Sequence, residues 1–243
     1  VNVRECVRHT PSVKTLLYIT SDKCYRNREW IWGYRENDEL GGHDPYSASK
    51  AAAELVFSAY GDSFFQARPD FGFASVRAGN VIGGGDWSED RIVPDCLRAL
   101  RAGQPIVLRK PEATRPWQHV LEPLAGYLTL AAALRRDPQK FSGAWNFGPD
   151  SDAARSVHDL ARGIVTAWGS GQINIQSSGS DPHEAGLLHL NCDKVRHSLG
   201  WKPRWGFERT VQETVAWYRD VASGEDAATV SAAQIQAYMA DIQ

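Results

Sequence analysis

The chain has 243 residues, of which 42% are hydrophobic and 23% are charged, and its formal net charge is -2 at pH 7. This composition is ordinary for a globular protein of one large or two small domains, and it gives no electrostatic case for binding nucleic acid or an anionic membrane surface. No apolar run approaches the ~20 residues that span a bilayer, and the start VNVRECVRHTPSVK lacks the charged-then-apolar order of a signal peptide.

The four cysteines, Cys6, Cys24, Cys96 and Cys192, are widely spaced and form no C-x-x-C pair. This spacing favours neither a disulfide framework nor a zinc knuckle. A reducing cytoplasm is therefore the expected location.

Predicted strands and helices alternate along the chain. The first ten residues are predicted to end a helix, and the run VKTLLYIT at 13–20 is typical of a strand buried in a parallel sheet. Asp44 and Pro45 begin a helix that stops at Gly61, and a second buried strand at 71–81 leads into the glycine-rich VIGGGDW. Further strands are predicted at QPIVLR, AWNFG, INIQ and LLHLN. Further helices are predicted at 90–100 and in LEPLAGYLTLAAAL, SVHDLARGIVTAWG, VRHSLG and ERTVQETVAWYRDV. The last twenty residues are predicted to form an exposed helix.

This alternation implies βαβ units and a mostly parallel sheet. The predicted fold class is α/β, with part of a Rossmann-like doubly wound parallel sheet and a smaller C-terminal α/β domain that binds substrate. We expect residues 1–80 and 120–149 to belong to the Rossmann part, and residues 81–119 and 150–243 to the second domain.

Three polar side chains follow the first predicted strand, in the stretch TSDKCY. Ser21, Asp22 and Lys23 can each carry or donate a proton. Ligands of open α/β sheets bind beyond the carboxyl ends of the strands, so this is a candidate position for chemistry. A loop with a local ion pair explains the stretch equally well when it is taken alone.

Tyr46 and Lys50 form the strongest local pairing, in YSASK. Positions i and i+4 share one face of a helix, so the phenol and the ammonium are expected to be neighbours. The lysine charge and the positive end of the helix both favour the phenolate. With a serine hydroxyl nearby, such a pair suits removal of an alcohol proton coupled to hydride loss to a nicotinamide ring.

Other motifs are weaker. The histidines of His183-Glu184 and His189 are six residues apart rather than the four of a zinc-protease motif, so no metal site is predicted, and neither a P-loop nor G-x-S-x-G occurs. Arginines on loops beyond strand ends can bind a diphosphate by paired hydrogen bonds, although each taken singly reads as a surface or ion-pair residue. The candidates of this kind are Arg77, Arg115, His119 and Arg155.

With these residues assembled, the chain resembles the extended short-chain dehydrogenase/reductases, and within them the NAD-dependent sugar-nucleotide 4,6-dehydratases. The motifs that carry the resemblance cover nearly the whole chain: TSDKCY, GGHDPYSASKAAAEL, VRAGNVIGGGDW, ATRPWQHVLEP, AWNFGP, HEAGLLHL and LGWKPRW. Ser-Asp-Lys at 21–23 is similar to the branch that acts on CDP-glucose, since related dTDP- and GDP-sugar dehydratases usually have Thr-Asp-Glu there.

The resemblance implies a mechanism. Tyr46, with Lys50 and Ser21, takes the proton of the sugar 4-hydroxyl while hydride passes to NAD, and both Tyr46 and Lys50 also bind that cofactor. Lys23 then removes the C5 proton, Asp22 protonates the departing 6-hydroxyl, and the product is CDP-4-keto-6-deoxyglucose, an intermediate of deoxysugar and lipopolysaccharide O-antigen biosynthesis. By motif position the residues that bind the nucleotide sugar are Asn80, Asp86, Trp87, Arg115, His119, Asn146 and His183.

One family feature is absent from the sequence. The family has a G-x-x-G-x-x-G turn for the dinucleotide pyrophosphate, and no such stretch occurs here. We therefore expect an N-terminally truncated dehydratase, poor in NAD binding and prone to associate, and the family implies pairing into a homo-oligomer through helices such as 45–60. The alternatives are a related epimerase or reductase, which needs Ser21 and Tyr46 but not Asp22 and Lys23, and a catalytically silent fragment that binds sugar nucleotides.

Overall fold

The computed structural model describes residues 1–150, 154–176 and 187–241. The chain divides into two compact units. The first comprises Val1–Gly79, Pro123–Ser151 and Leu188–Lys202, and the second comprises Asn80–Glu122, Asp152–Leu187 and Pro203–Gln243.

Strands and helices alternate through both units. The strands are β1 Thr15–Ile19, β2 Gly72–Ala78, β3 Val81–Ile82, β4 Ile106–Leu108, β5 Thr114–Arg115, β6 Gln118–His119, β7 Gly143–Phe147, β8 Arg155–Ser156 and β9 Ile173–Ile175. The helices are α1 Asn2–Arg8, α2 Pro45–Tyr60, α3 Ile92–Arg101, α4 Leu121–Arg136, α5 Pro138–Phe141, α6 Val157–Trp168, α7 Asp193–Leu199, α8 Phe207–Ala222 and α9 Ala227–Ala240. A short 3₁₀ turn, Asp22–Cys24, follows β1.

A parallel sheet of order β1-β2-β7 forms the centre of the first unit. Every residue of β2 is buried, and its side chains alternate between the two faces. Ala74 and Val76 pack with Leu130 and Leu134 of α4 in one apolar cluster. Phe73 packs in another cluster with Val7 of α1, Phe57 of α2, and Phe65 and Phe71 of the segment between α2 and β2. Helices therefore cover both faces of the sheet, as the predicted α/β class requires.

The described residues of the second unit contain three short strand pairs. β3 pairs with β6 and β4 with β9 in parallel, and β5 pairs with β8 antiparallel. Its core is one apolar cluster to which α3, α6 and α8 contribute Leu97, Leu160, Ile164, Val211 and Val215. Among the described residues, these short strands pair two by two and do not join into one continuous sheet.

The strand predicted at LLHLN is wrong. Among the described residues, Leu190 makes only an isolated bridge to Tyr34, and no ladder forms around it. Leu188, Leu190 and Val195 instead pack in the apolar cluster of β7 and α4. This packing gives Leu188–Lys202 to the first unit, whereas the sequence assigned it to the second domain.

Candidate active site

The first turn of α2 is fixed by its cap. Oδ1 of Asp44 accepts a hydrogen bond from the backbone N–H of Ser47 at 3.0 Å, and Oδ2 accepts one from the Ser47 hydroxyl at 2.6 Å. The Ser47 hydroxyl bond, with a contribution from the charge of Lys23, holds the pKa of Asp44 below its usual range. Because Pro45 occupies the first helical position, Tyr46 lies in the first turn of the helix.

Tyr46 and Lys50 are neighbours on α2, as their spacing predicts. The Lys50 Nζ lies 5.5 Å from the centroid of the Tyr46 ring. Tyr46 is 54% exposed. A phenol beside an ammonium at the positive end of a helix is an arrangement that can exchange a proton with a bound alcohol.

The polar residues after β1 form a tight turn. The Ser21 hydroxyl donates to Oδ1 of Asp22 at 2.9 Å and accepts from the backbone N–H of Lys23 at 3.2 Å. Asp22 is buried, and Ser21 and Lys23 are half-buried. α2 packs directly against this turn. The first unit therefore brings the two predicted groups, Ser21 to Lys23 and Tyr46 with Lys50, into one neighbourhood.

A buried ion pair connects α2 to β2, and its acidic partner, Glu54, was not among the predicted residues. The guanidinium of Arg77 on β2 donates from Nη2 to Oε2 of Glu54 on α2 at 2.7 Å, and both side chains are almost fully buried. The other carboxylate oxygen of Glu54 accepts from the hydroxyl of Thr20. Arg77 thus lies inside a strand, and the alternative that it is an ion-pair residue is confirmed, whereas the diphosphate hypothesis placed it on a loop beyond a strand end. The spacing of Glu54 from Tyr46 and Lys50, four residues at each step, was the available signal.

Asn146 on β7 is also part of the protein interior. Its Oδ1 accepts from the Tyr25 hydroxyl at 2.8 Å, and its Nδ2 donates to the carbonyls of Tyr34 and Asn191 at 2.8 and 3.2 Å. The side chain is fully buried. The sequence predicted Asn146 as a sugar-nucleotide ligand, but its amide bonds protein groups and joins two loops to the sheet, the one that holds Tyr25 and Tyr34 and the one that holds Asn191.

Two arginines lie opposite each other in the second unit. Arg115 on β5 and Arg155 on β8 are directly paired in the antiparallel ladder. Arg115 is buried and donates to the carbonyl of Thr114 at 2.7 Å, and Arg155 lies over the ring of Phe207.

His119 is buried in the second unit. Its Nδ1 accepts from the backbone N–H of Leu121 at 3.3 Å, so Nε2 carries the proton, and the ring packs 4.8 Å from that of Trp205. Burial lowers the pKa of His119 from 6.5 to about 4. The ring is therefore a neutral hydrogen-bond donor at neutral pH, rather than a cation that binds a diphosphate.

The remaining described residues predicted to bind the nucleotide sugar in the second unit lie in or beside the glycine-rich loop. Trp87 is exposed and packs edge-on against Tyr218 at 5.1 Å, and Tyr218 donates to the carbonyl of Asp86 at 2.5 Å. The carbonyl of Asn80 accepts from the backbone N–H of Gln118 at 3.1 Å. His183, also predicted to bind the nucleotide sugar, lies outside the described residues.

Three further properties concern the described part of the chain. Its helices are all too short or too polar to cross a bilayer. No three His, Cys, Asp or Glu side chains in it are grouped as metal ligands would be. All four cysteines are free thiols, with Cys6 exposed and Cys24, Cys96 and Cys192 buried.

Residues 1–148 match the family described as NAD dependent epimerase/dehydratase family, so the chain belongs to this family. Over 243 residues it is 47% identical to CDP-glucose 4,6-dehydratase of Salmonella typhimurium, a match that covers 98% of this chain and 68% of the Salmonella protein. A dTDP-glucose 4,6-dehydratase of Shigella flexneri is 24% identical, with 83% of this chain and 57% of that protein covered.

Solved structures agree with the fold. The dTDP-glucose 4,6-dehydratase of Bacillus anthracis, determined in complex with NAD, superposes with a TM-score of 0.75 at 22% identity. The match covers 90% of this chain and 65% of that one. A UDP-galactose 4-epimerase superposes with a TM-score of 0.72 at 22% identity, covering 91% and 67%. The chain thus spans about two thirds of these proteins, and at this identity the likeness establishes the α/β fold and its topology.

Proposed function

We propose that the chain is the catalytic and nucleotide-sugar-binding part of an NAD-dependent CDP-glucose 4,6-dehydratase, a hydro-lyase of a reducing cytoplasm. The observation that carries this proposal is the packing of α2, with Tyr46 and Lys50, against the turn that holds Ser21, Asp22 and Lys23. The 47% identity to the Salmonella enzyme across almost the whole chain supports CDP-glucose as the substrate.

The residues present fit one end of the cofactor. An exposed phenol with an ammonium beside it suits the hydroxyls of a nicotinamide ribose, so Tyr46 and Lys50 would hold that end. The sequence contains no G-x-x-G-x-x-G turn for the pyrophosphate. When bound, NAD supplies a hydride acceptor at C4 of the sugar and a hydride donor at C6.

The chain's own residues perform the proton transfers. Tyr46 accepts the proton of the 4-hydroxyl, with the Ser21 hydroxyl as a hydrogen-bond partner and the Lys50 ammonium beside the ring. Once C4 is a ketone the C5 hydrogen is acidic, and Lys23 removes it. Asp22 gives a proton to the 6-hydroxyl, which leaves as water, and the proton taken by Lys23 returns to C5 when C6 is reduced. The Ser21 bond to Asp22 links the groups of the first and second steps.

The second unit is proposed to bind the nucleotide. Arg115 and Arg155, paired across β5 and β8, suit the diphosphate by charge-assisted hydrogen bonds. Trp87, an exposed ring on the glycine-rich loop, suits stacking on the base, with Asn80, Asp86, His119 and His183 as further ligands. Pairing into a homo-oligomer remains part of the proposal.

The test is an incubation of the chain with CDP-glucose and NAD, followed by identification of the products. Formation of a 4-keto-6-deoxy sugar supports the proposal. Inversion at C4 without loss of water would make the chain an epimerase, and binding of CDP-glucose without any turnover would make it a silent fragment. A calorimetric titration with NAD tests the cofactor separately, and binding at micromolar Kd or tighter would contradict our expectation that the chain binds NAD poorly.

A further inference from the structure

The turn that carries Ser21, Asp22 and Lys23 is held at its beginning by Glu54. Thr20, the residue before Ser21, donates its hydroxyl hydrogen to Oε1 of Glu54 on α2. The second carboxylate oxygen, Oε2, accepts from Ser75 at 2.8 Å and from Arg77 at 2.7 Å. The entry of the turn is therefore fixed to α2 and to β2 through one carboxylate.

The same network holds the end of the turn. Tyr25, the residue after Cys24, accepts a 2.7 Å hydrogen bond from Nη1 of Arg77 and donates its own hydroxyl hydrogen to Asn146 at 2.8 Å. Within the turn, the backbone N–H groups of Cys24 and Tyr25 donate to the carbonyls of Ser21 and Asp22. The four residues from Ser21 to Cys24 thus lie between two anchors that meet at the Glu54–Arg77 ion pair.

Glu54 also shares a helix face with the two candidate catalytic residues of α2. Tyr46, Lys50 and Glu54 are four residues apart at each step, and a helix rises about 1.5 Å per residue, so Glu54 lies about 6 Å beyond Lys50 along the axis. A bond from Glu54 to Thr20 therefore limits both sliding and rotation of α2 relative to the end of β1.

Stability alone does not account for this arrangement. A buried ion pair contributes little net stability compared with an apolar pair of similar size, because both charges lose their hydration. In addition, the Nε of Arg77 is buried without a hydrogen-bond partner among the described residues. What the pair provides, and an apolar pair does not, is a fixed geometry, because hydrogen bonds are directional and apolar contacts are not.

We propose that Glu54 is a positioning residue, which fixes the turn of Ser21, Asp22 and Lys23 against the face of α2 that carries Tyr46 and Lys50. The expected effect on turnover rests on the proposed function, whereas the anchoring of the turn by Glu54 does not. Glu54 acts through Thr20 at the entry of the turn and through Arg77 and Tyr25 at its end.

Two matched substitutions separate positioning from stability. Thr20→Val and Ser75→Ala each remove one hydroxyl bonded to Glu54, but only Thr20 adjoins the turn. With CDP-glucose and NAD as substrates, Thr20→Val is expected to lower kcat by about tenfold or more with little change in KM, since small misplacements of reacting groups cost such factors. Thr20→Ser should restore kcat, and Ser75→Ala should leave it within about twofold.

Hydrogen exchange at the amides of Cys24 and Tyr25 gives a readout that needs no turnover. Thr20→Val and Glu54→Gln should accelerate exchange at these two amides, whereas Ser75→Ala should leave them unchanged. A wild-type chain without dehydratase activity would refute the proposed function, and the exchange result would then decide the role of Glu54. Unchanged exchange in Thr20→Val, equal effects of Thr20→Val and Ser75→Ala, or an active wild type whose kcat is unaffected by Thr20→Val would each overturn the inference.

Discussion

The hydroxyl of Tyr238, near the end of α9, donates a 2.7 Å hydrogen bond to Oε2 of Glu122, at the start of α4. The other oxygen of Glu122 accepts from the backbone N–H groups of Arg204 and Trp205 at 3.0 and 2.7 Å. Glu122 is fully buried, and this burial raises its pKa above the usual range in spite of these bonds. The last helix is therefore attached to the second unit through a polar contact in its core.

Tyr238→Phe is predicted to destabilise the second unit by about 1–3 kcal/mol, because it leaves a buried carboxylate oxygen without its donor. Urea unfolding followed by tryptophan fluorescence measures the change. Tyr60→Phe is the matched control, since the Tyr60 hydroxyl donates to Glu5 at the same 2.7 Å but at the surface, where the loss should be much smaller. Equal effects of the two substitutions would contradict a special role for the Glu122 contact.

Helix α9 shows which contacts the sequence could not predict. Its alanine-rich composition predicted an exposed terminal helix, and most of its residues are exposed. The hydrogen-bond partner of the buried Tyr238, however, lies 116 residues earlier in the chain. By contrast, β1, β2 and α2 were predicted correctly, because buried strand patterns and the Asp44–Pro45 cap are local signals.

The partners of Arg77 and Asn146 could not be predicted in this way. Arg77 bonds Tyr25 and Glu54, 52 and 23 residues away, and Asn146 bonds Tyr25 at a separation of 121 residues. Motif position indicated a ligand for Asn146, whereas the fold uses its amide internally. The sequence could predict that the turn after β1 and the start of α2 come together, because a strand end and the start of the next helix meet in any βα unit. This predicts the grouping of Ser21, Asp22, Lys23, Tyr46 and Lys50.

His119 should make the stability of the second unit depend on pH. The pKa of the buried imidazole falls from 6.5 to about 4, so between these values the unfolded chain binds a proton that the folded chain does not. The contribution of His119 to the free energy of unfolding is therefore fully present above pH 6.5. It is lost as the pH falls toward 4, and this loss is no more than about 3 kcal/mol.

Urea unfolding at a series of pH values checks this, with His119→Asn as the comparison because the Asn oxygen can still accept from Leu121. The variant should show a flatter pH dependence between pH 6.5 and 4 than the wild type. Parallel curves for the two proteins would mean that the imidazole titrates normally.

The two outer edges of the sheet in the first unit differ. On β7, Glu36 accepts from the backbone N–H of Asn146 at 3.0 Å and Lys194 donates to the carbonyl of Ala144 at 2.7 Å, so side chains cover this edge. Within the described residues β1 pairs with β2 alone, which leaves its other edge open. An open edge is a template for another strand, and we predict that the chain self-associates through β1.

Ile19→Lys should weaken this association, raising its Kd by about tenfold or more, because a charge at the contact would lose its hydration. Ile19 is 58% exposed, and Val107→Lys in β4, at a residue 51% exposed, is the matched control in the other unit. Sedimentation velocity over a range of concentrations measures the change. A wild-type chain that stays monomeric throughout, with a sharp and reversible melt, would refute the prediction.

Substitutions at Tyr46 and Lys23 should interrupt the proposed reaction at different steps. Tyr46→Phe removes the base for the 4-hydroxyl, so oxidation and every later step should slow by about 10² to 10⁴-fold. Lys23→Ala leaves that base in place but removes the base for the C5 proton. In the variant, reduced cofactor should therefore build up without release of water, whereas in the wild type it should not accumulate.

Absorbance of the reduced nicotinamide and product analysis after mixing with CDP-glucose and NAD distinguish the two variants. Tyr60→Phe, at the far end of α2, and Lys202→Ala, at an exposed lysine of the first unit, are the controls and should behave like the wild type. Turnover near the wild-type rate in Lys23→Ala would remove that residue from the mechanism. It would also favour the epimerase alternative, because C4 oxidation with re-reduction from the other face needs Ser21 and Tyr46 but no base at C5.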